Sequence, residues 1–355
     1  MGISTYTALH VENEGFWIPA ADINGLFFAN DKGTMEFKGV LPNGMNSAAW
    51  EICKVIKRDD NIFLFSRRSF EYWIYNIQSE KITNHKYYSD EAQLLSNVEN
   101  INNKVWVFPR DHSIPIINID LYSGHIIEIQ HPCEVALGDS GFIRTVLYKE
   151  KIYWMNREEN NIYFFTLDCR NNSISYRKFE DARYVNCMDV FDNMIVVLYR
   201  DKKSQNILGI MDIECENLKK NNVSDVIKLS DSDRLTYFRM LYRYHKIFLF
   251  PVGNENVKIF ENGKVINIQE KKKFKINQKR NYTEIVDNDI QVEGDNVYIY
   301  SPKERGVRIL NLISEKIIEE NIIVRSAYSD AMKSQYDENK IFAEDSNLTL
   351  EQFIK

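Results

Sequence analysis

Four short phrases in this chain close on an arginine in their seventh place: NIFLFSRR at 61–68, KVWVFPRD at 104–111, KIYWMNRE at 151–158 and MIVVLYRD at 194–201. The residues are Arg67, Arg110, Arg157 and Arg200. A guanidinium presents five donors in a planar fork, which binds carboxylate, phosphate or sulfate bidentately. Four that converge would form an anion site, with Tyr199 and Arg68 adding stacking and charge. Ion pairing with Asp111, Glu158, Glu159 or Asp201 would instead make each arginine a local brace, a role in which exposed pairs contribute little. His112 follows Arg110 on the same segment and has the chemistry of a general base or ligand.

Other chemistry is thinly represented. The six histidines show neither HxH nor HxxxH spacing. The five cysteines, Cys53, Cys133, Cys169, Cys187 and Cys215, include no CxxC pair, so they read as free, mostly buried thiols. GxSxG, P-loop and GxGxxG sequences are absent. No metal or cofactor is expected. The basic run KKKFKINQKR at 271–280 holds one Phe and lacks a regular stacking platform, so it reads as a solvated loop.

A formal charge of −6 argues against a broad nucleic-acid surface. No run approaches the roughly 18–20 apolar residues of a membrane-spanning helix. The opening MGISTYTALHVENEG lacks a basic segment followed by an apolar one, so a cytoplasmic location is expected. Abundant Ile, Asn and Lys match an AT-rich bacterial genome.

The phrases themselves organise the chain. Their first apolar residues are Phe16, Ile62, Val105, Ile152, Ile195, Ile247 and Val297, a near-constant interval of 43 to 52 residues. Intervals of that size belong to propeller blades, helical HEAT-type repeats or kelch-type units. Short runs of Val, Ile, Phe, Tyr and Trp bounded by Asn, Asp and Gly read as strands, which excludes the helical repeats. Each unit resolves into four strands. The third reads LLSNVENI, KVWVFPR, IPIINIDLYSG, HIIEIQ, and the fourth FIRTVLYKE, KIYWMNR, NIYFFTLD, SISYRKF. Turns such as Tyr122-Ser123-Gly124, Arg170-Asn171-Asn172 and Glu261-Asn262-Gly263 suit antiparallel neighbours.

A four-stranded meander buries both faces only when stacked between others. The chain therefore resembles the β-propellers over residues 4–325: all-β, seven four-stranded blades, with six or eight as alternatives. It carries neither the WD dipeptide nor the kelch Gly-Gly doublet. Residues 326–355 form a C-terminal tail that is expected to close the ring or to make a short helix. Trp17, Trp50, Trp73, Trp106 and Trp154 recur within strands and are expected to pack between blades.

The resemblance implies that Arg67, Arg110, Arg157 and Arg200 stand at equivalent heights in four consecutive blades, on the face where propellers commonly bind ligands. It implies a binding or scaffold module presenting that face to a protein, or to an anionic small molecule or glycan, without nucleic acid or membrane. The alternative it carries is a lyase or hydrolase acting on an anionic substrate such as an acidic sugar. Some propeller lyases use a histidine, a carboxylate and a divalent ion, and His112 with Glu158 or Glu159 is the matching set here.

Overall fold

Continuous runs of β-branched and aromatic residues make the phrases extended, and the neighbouring segments complete each of them into an antiparallel meander. The computed structural model describes residues 7–322 apart from 21–24, 31–34, 43–51, 68, 89–94, 110–113, 133–144, 159–160, 215–217, 230–235, 252–255, 269–288 and 302–305. Blade 1 comprises β1 (Leu9–Val11), β2 (Gly15–Ala20), β3 (Gly25–Asn30) and β4 (Met35–Val40). Blade 2 comprises β5 (Ile52–Arg58), β6 (Asn61–Ser66), β7 (Glu71–Asn76) and β8 (Lys81–Lys86). Blade 3 comprises β9 (Leu95–Ile101), β10 (Lys104–Pro109), β11 (Ile116–Asp120) and β12 (Ile126–Ile129).

Blade 4 has β13 (Thr145–Tyr148), β14 (Lys151–Glu158), β15 (Asn161–Asp168) and the first part of β16 (Ser173–Phe191). The remainder of β16 opens blade 5, followed by β17 (Met194–Asp201), β18 (Asn206–Asp212) and β19 (Lys219–Asn222). Blade 6 has β20 (Tyr237–Arg243), β21 (Lys246–Pro251), β22 (Lys258–Glu261) and β23 (Lys264–Asn267). Blade 7 has β24 (Asp289–Glu293), β25 (Asn296–Ser301), β26 (Gly306–Asn311) and β27 (Lys316–Ile322). All pairings are antiparallel between consecutive strands. The protein is an all-β, seven-bladed β-propeller. Blade 7 completes its own four strands by Ile322, and the tail at 326–355 lies outside the described residues.

The blades fall into two compact units, one holding blades 1, 2 and 7 and the other blades 3 to 6. In the second unit the first strands of neighbouring blades touch, β9 against β13, β13 against β16 and β16 against β20. Fourth strands are the outer edges: β8, β12, β19 and β23 are largely exposed, whereas the second strands β6, β10 and β21 are buried almost throughout. Trp17, Trp73, Trp106 and Trp154 are all buried between blades, as expected for packing residues, and Trp50 lies outside the described residues. Trp106 donates from Nε1 to Asn172 Oδ1 at 3.0 Å, which links blade 3 to the turn that closes β15.

The hairpins joining first to second strands are tight. Asp192 and Asn193 take φ of 50° and 59°, and Tyr244 and His245 take 55° and 58°, the mirror-image turn whose twist matches the strands it joins. Polar side chains on the first strands clamp adjacent blades. In blade 1, the His10 N–H donates to Gln291 Oε1 at 2.8 Å, and Gln291 Nε2 donates back to the His10 carbonyl at 3.0 Å. That side-chain amide imitates a strand pairing between β24 and β1. His10 also stacks on Tyr298 and pairs with Glu293 at 2.7 Å. Between blades 5 and 6, Asn186 Oδ1 accepts from the Tyr237 N–H at 3.2 Å, and Asp189 Oδ2 from the Tyr242 N–H at 2.7 Å.

Cys53, Cys169 and Cys187 are thiols that form no disulfide. Burial, followed by the nearby Asp168 charge, pushes the Cys169 thiol up to about 12, so it behaves as a small apolar residue. In the Asp168 turn, Arg170 donates from Nε and from its backbone N–H to Oδ1, each at 3.0 Å. The Arg170 side-chain bonds, then its backbone bond, hold the Asp168 carboxyl down to about 2. A lowered folded value contributes stability that is present above the ordinary 3.8 and is lost as pH falls toward 2. The pair is exposed, so its worth is small. The urea midpoints of the native chain and of Asp168→Asn should therefore differ modestly at pH 6, and the difference should close between about pH 4 and 2.

Candidate functional site

The seventh-place arginines all fall where a second strand ends. Arg67 directly follows β6 and is 9% exposed. Arg157 lies within β14, its backbone opposite Ile162. Arg200 lies within β17, opposite Asn206. Arg110 follows Pro109 at the end of β10 and, with His112, lies outside the described residues, as does the basic run at 271–280.

The Arg200 side chain is itself visible in detail. It is 5% exposed. Its Nε donates to Asn206 Oδ1 at 3.2 Å and its Nη2 to the Leu229 carbonyl at 2.9 Å. Its guanidinium lies over the Tyr184 ring, 5.5 Å from the centroid. Asn206 in turn donates from Nδ2 to the Ile227 carbonyl at 2.8 Å. At this position the arginine braces the segment between β19 and β20, the local role of the two that its residue type allows.

A second constellation occupies the same end of the blades, on the first strands. Register places a β-bulge at one repeated point, opposite the step from fifth to sixth phrase residue. Cys53 is the extra residue in β5, Ser96 in β9, Asn186 in β16 and Phe238 in β20. A bulge kinks its strand and re-aims the side chains beside it. Cys53 spans its own bulge, its Sγ approaching both the Phe65 and Ser66 carbonyls at 3.6 Å.

Residues beside the bulges of blades 3 and 6 meet the regular first strand of blade 4. Thr145 Oγ1 donates to Glu99 Oε1 at 2.6 Å. Asn97 Nδ2 donates to the same Glu99 oxygen at 3.3 Å and is bonded to Thr145 Oγ1 as well. Arg239 reaches from blade 6 past blade 5, its Nη1 donating to the Thr145 carbonyl at 3.1 Å. Glu99 is 7% exposed and Thr145 fully buried, while Asn97 and Arg239 are half-buried. The arrangement holds a carboxylate, a hydroxyl, an amide and a guanidinium on three blades, a set suited to orienting a polar ligand. Among the described residues no group of three His, Cys, Asp or Glu side chains could hold a metal ion.

Reading the sequence alone misses Asn97, Glu99, Thr145 and Arg239. The one available signal was a charge inside an otherwise apolar strand, Glu99 in LLSNVENI and Arg239 in FRMLYRYH. Nothing in the spacing announces that Glu99 meets Thr145, 46 residues away.

Comparison with known proteins places the chain by fold. No family model matches it, and no curated protein matches it in sequence. Among solved structures, it is similar to virginiamycin B lyase from Staphylococcus aureus, with a TM-score of 0.58 and 10% identity over 86% of this chain and 95% of that one. It is similar to Kuenenia stuttgartiensis hydrazine synthase, with a TM-score of 0.56 and 9% identity over 87% and 96%. The WD40 repeats of RRP9 follow at 0.52 and 8% over 84% and 87%. Proteins described as a lyase, a synthase and a set of WD40 repeats share this architecture, and at such identities the likeness establishes the fold alone. No helix among the described residues is long and apolar enough to cross a membrane.

Proposed function

We propose that the protein is a non-catalytic binding module, whose recognition face is the end of the blades at which the second strands finish. The ligand is an anion; the candidates to contact it are Arg67, Arg110 and Arg157, with His112 two residues after Arg110 in the sequence, and Arg200 anchors the segment between β19 and β20. The observation that carries this reading is the recurrence of arginine at the close of β6, β10, β14 and β17, four consecutive blades. Repeat folds present equivalent positions of successive units along one surface, and guanidinium groups held there add their affinities for one polyanionic ligand. A protein bearing an acidic segment offers the same chemistry as an anionic small molecule or glycan.

A thermal-shift screen of the full chain against dicarboxylates, phosphorylated metabolites and uronic acids tests the reading. A ligand that binds only the native state raises the melting midpoint by mass action. Arg110→Ala and Arg157→Ala should abolish that rise while leaving the unliganded midpoint unchanged. No rise with any anion, together with lowered unliganded midpoints in both variants, would assign these arginines to bracing, as at Arg200.

A further inference from the structure

Three exposed apolar side chains stand on one short stretch of blade 3: Tyr122 is 67% exposed, Ile126 39% and Ile127 36%. The last two belong to β12, the outer edge of its sheet, which pairs on one side with β11. The Asp120 N–H donates to the His125 carbonyl at 2.9 Å. Alternation along an antiparallel ladder then turns the N–H and C=O of Ile126 and Glu128 away from β11. Such an edge is a template for another strand, and proteins commonly blunt it with lysine. The other fourth strands follow that rule, with Lys38 in β4, Lys81 in β8, Lys178 in the first part of β16, Lys219 in β19, Lys264 in β23 and Lys316 in β27. Among the fourth strands β12 alone, IIEI, carries neither lysine nor arginine. We propose that the outer edge of β12 is a docking site for an extended segment of a partner protein. That segment adds to blade 3 as a further antiparallel strand and brings a lysine or arginine opposite Glu128.

The chemistry of the segment follows from the two faces of β12. Ile126 and Glu128 share one face, and Ile127 shares the other with Ile129, which is buried in a cluster with Trp106 and Trp154. Opposite-charge and β-branched pairs across a ladder are the favourable ones. An antiparallel partner therefore reads as a cation opposite Glu128, followed by β-branched residues opposite Ile127 and Ile126. A second copy of this chain fits the edge poorly. Two β12 strands meeting antiparallel would put both Glu128 side chains on one face of the ladder, without a lysine or arginine on either strand. The strand is also only about 14 Å long, so pairing through it alone falls well short of the ~1,200 Å² that a stable dimer buries. A single extended segment needs no such area, because main-chain hydrogen bonds to the edge supply its affinity.

A nuclear magnetic resonance titration of the full chain with two synthetic peptides tests the assignment. One is a threonine-rich strand holding a lysine followed by two valines, and the other carries glutamate in place of that lysine. The lysine peptide should shift the backbone amides of Ile126 and Glu128, and the glutamate peptide should bind at least about fivefold more weakly. Glu128→Lys should reverse that preference. Ile126→Pro removes an outward N–H and no bond to β11, so it should abolish the shifts while the fold stands. Absence of shifts at β12, or equal binding of the two peptides, would overturn the proposal. So would a chain that sediments as a dimer and becomes a monomer in Ile126→Pro, which would assign the edge to self-pairing. If Ile126→Pro does not fold, the exposed Glu128→Lys change decides alone, and an unreversed preference in it would overturn the proposal equally.

Discussion

Replacing Asp189 with Ala should lower the stability of the protein by about 3–5 kcal/mol, the usual cost of breaking a buried ion pair from one side. Asp189 is 3% exposed and accepts from Arg243 Nη1 at 2.8 Å and from the Tyr242 N–H at 2.7 Å. Its loss strands the charge of Arg243, which also lies over the Phe191 ring at 3.8 Å, and orphans an inter-blade N–H. The pair is nonetheless not a net source of stability. Desolvation raises the Asp189 carboxyl above its ordinary value, and outweighs the attraction of Arg243 and the Tyr242 N–H bond, which lower it. Because the folded value is raised, the carboxylate weakens the native state above that value, and the penalty is relieved as pH falls through it. Asp189→Asn with Arg243→Met keeps the acceptor for Tyr242 and removes both charges, and should cost far less than Asp189→Ala. Urea unfolding of the single and double variants measures the coupling directly; equal losses in both would refute this account.

Gly15→Ala should be comparably damaging, about 3 kcal/mol or more when strain and overpacking add. Gly15 opens β2 at φ +133°, a conformation that L side chains rarely adopt. A Cβ there would fall 2.1 Å from the Ala29 carbonyl oxygen and 2.7 Å from the Asn30 Cα, backbone atoms of the paired strand β3. Neither can rotate away. Gly124→Ala is the control: it is also at positive φ, at +68°, but a Cβ there meets nothing within 4 Å. Thermal melts should show a large loss for Gly15→Ala and a small one for Gly124→Ala. Similar losses would mean that backbone conformation, rather than the collision with β3, limits both sites.

The seven phrases disclosed the second strands because those strands are buried on both faces and must be written in continuous apolar residues. Their neighbours were legible almost as well: LLSNVENI contains β9, HIIEIQ contains β12, and GLFFAND contains β3. Turn chemistry marked the hairpins, with Gly124, Asn172, Asn262 and Gly263 all at positive φ. Tyr244 and His245 take the same conformation without any Gly or Asn to announce it, because strand twist on either side imposes the turn. The bulges at Cys53, Ser96, Asn186 and Phe238 were equally silent, since a single extra residue leaves no compositional trace. The common placement of the arginines followed from the repeat. The engagement of Arg200 by Asn206 and Leu229 did not, because it depends on a segment 29 residues further along the chain.

The fourth strand of blade 4 is expected over SISYRKF alone, yet β16 runs unbroken for 19 residues, from Ser173 to Phe191. Its first part pairs with β15 and its second with β17, with bulges at Arg183 and Asn186 early in the second part. Modular proteins usually tolerate loss or slippage of a unit because a slack connector separates it from its neighbour. Here the two units share one rod. Fraying of the outer edge of one pulls directly on the inner edge of the other, so they must open to solvent together, as a single exchange-protected block. That junction also gives a protease or a sequence insertion no slack chain to enter, which makes it the seam about which this array is least free to grow or shrink.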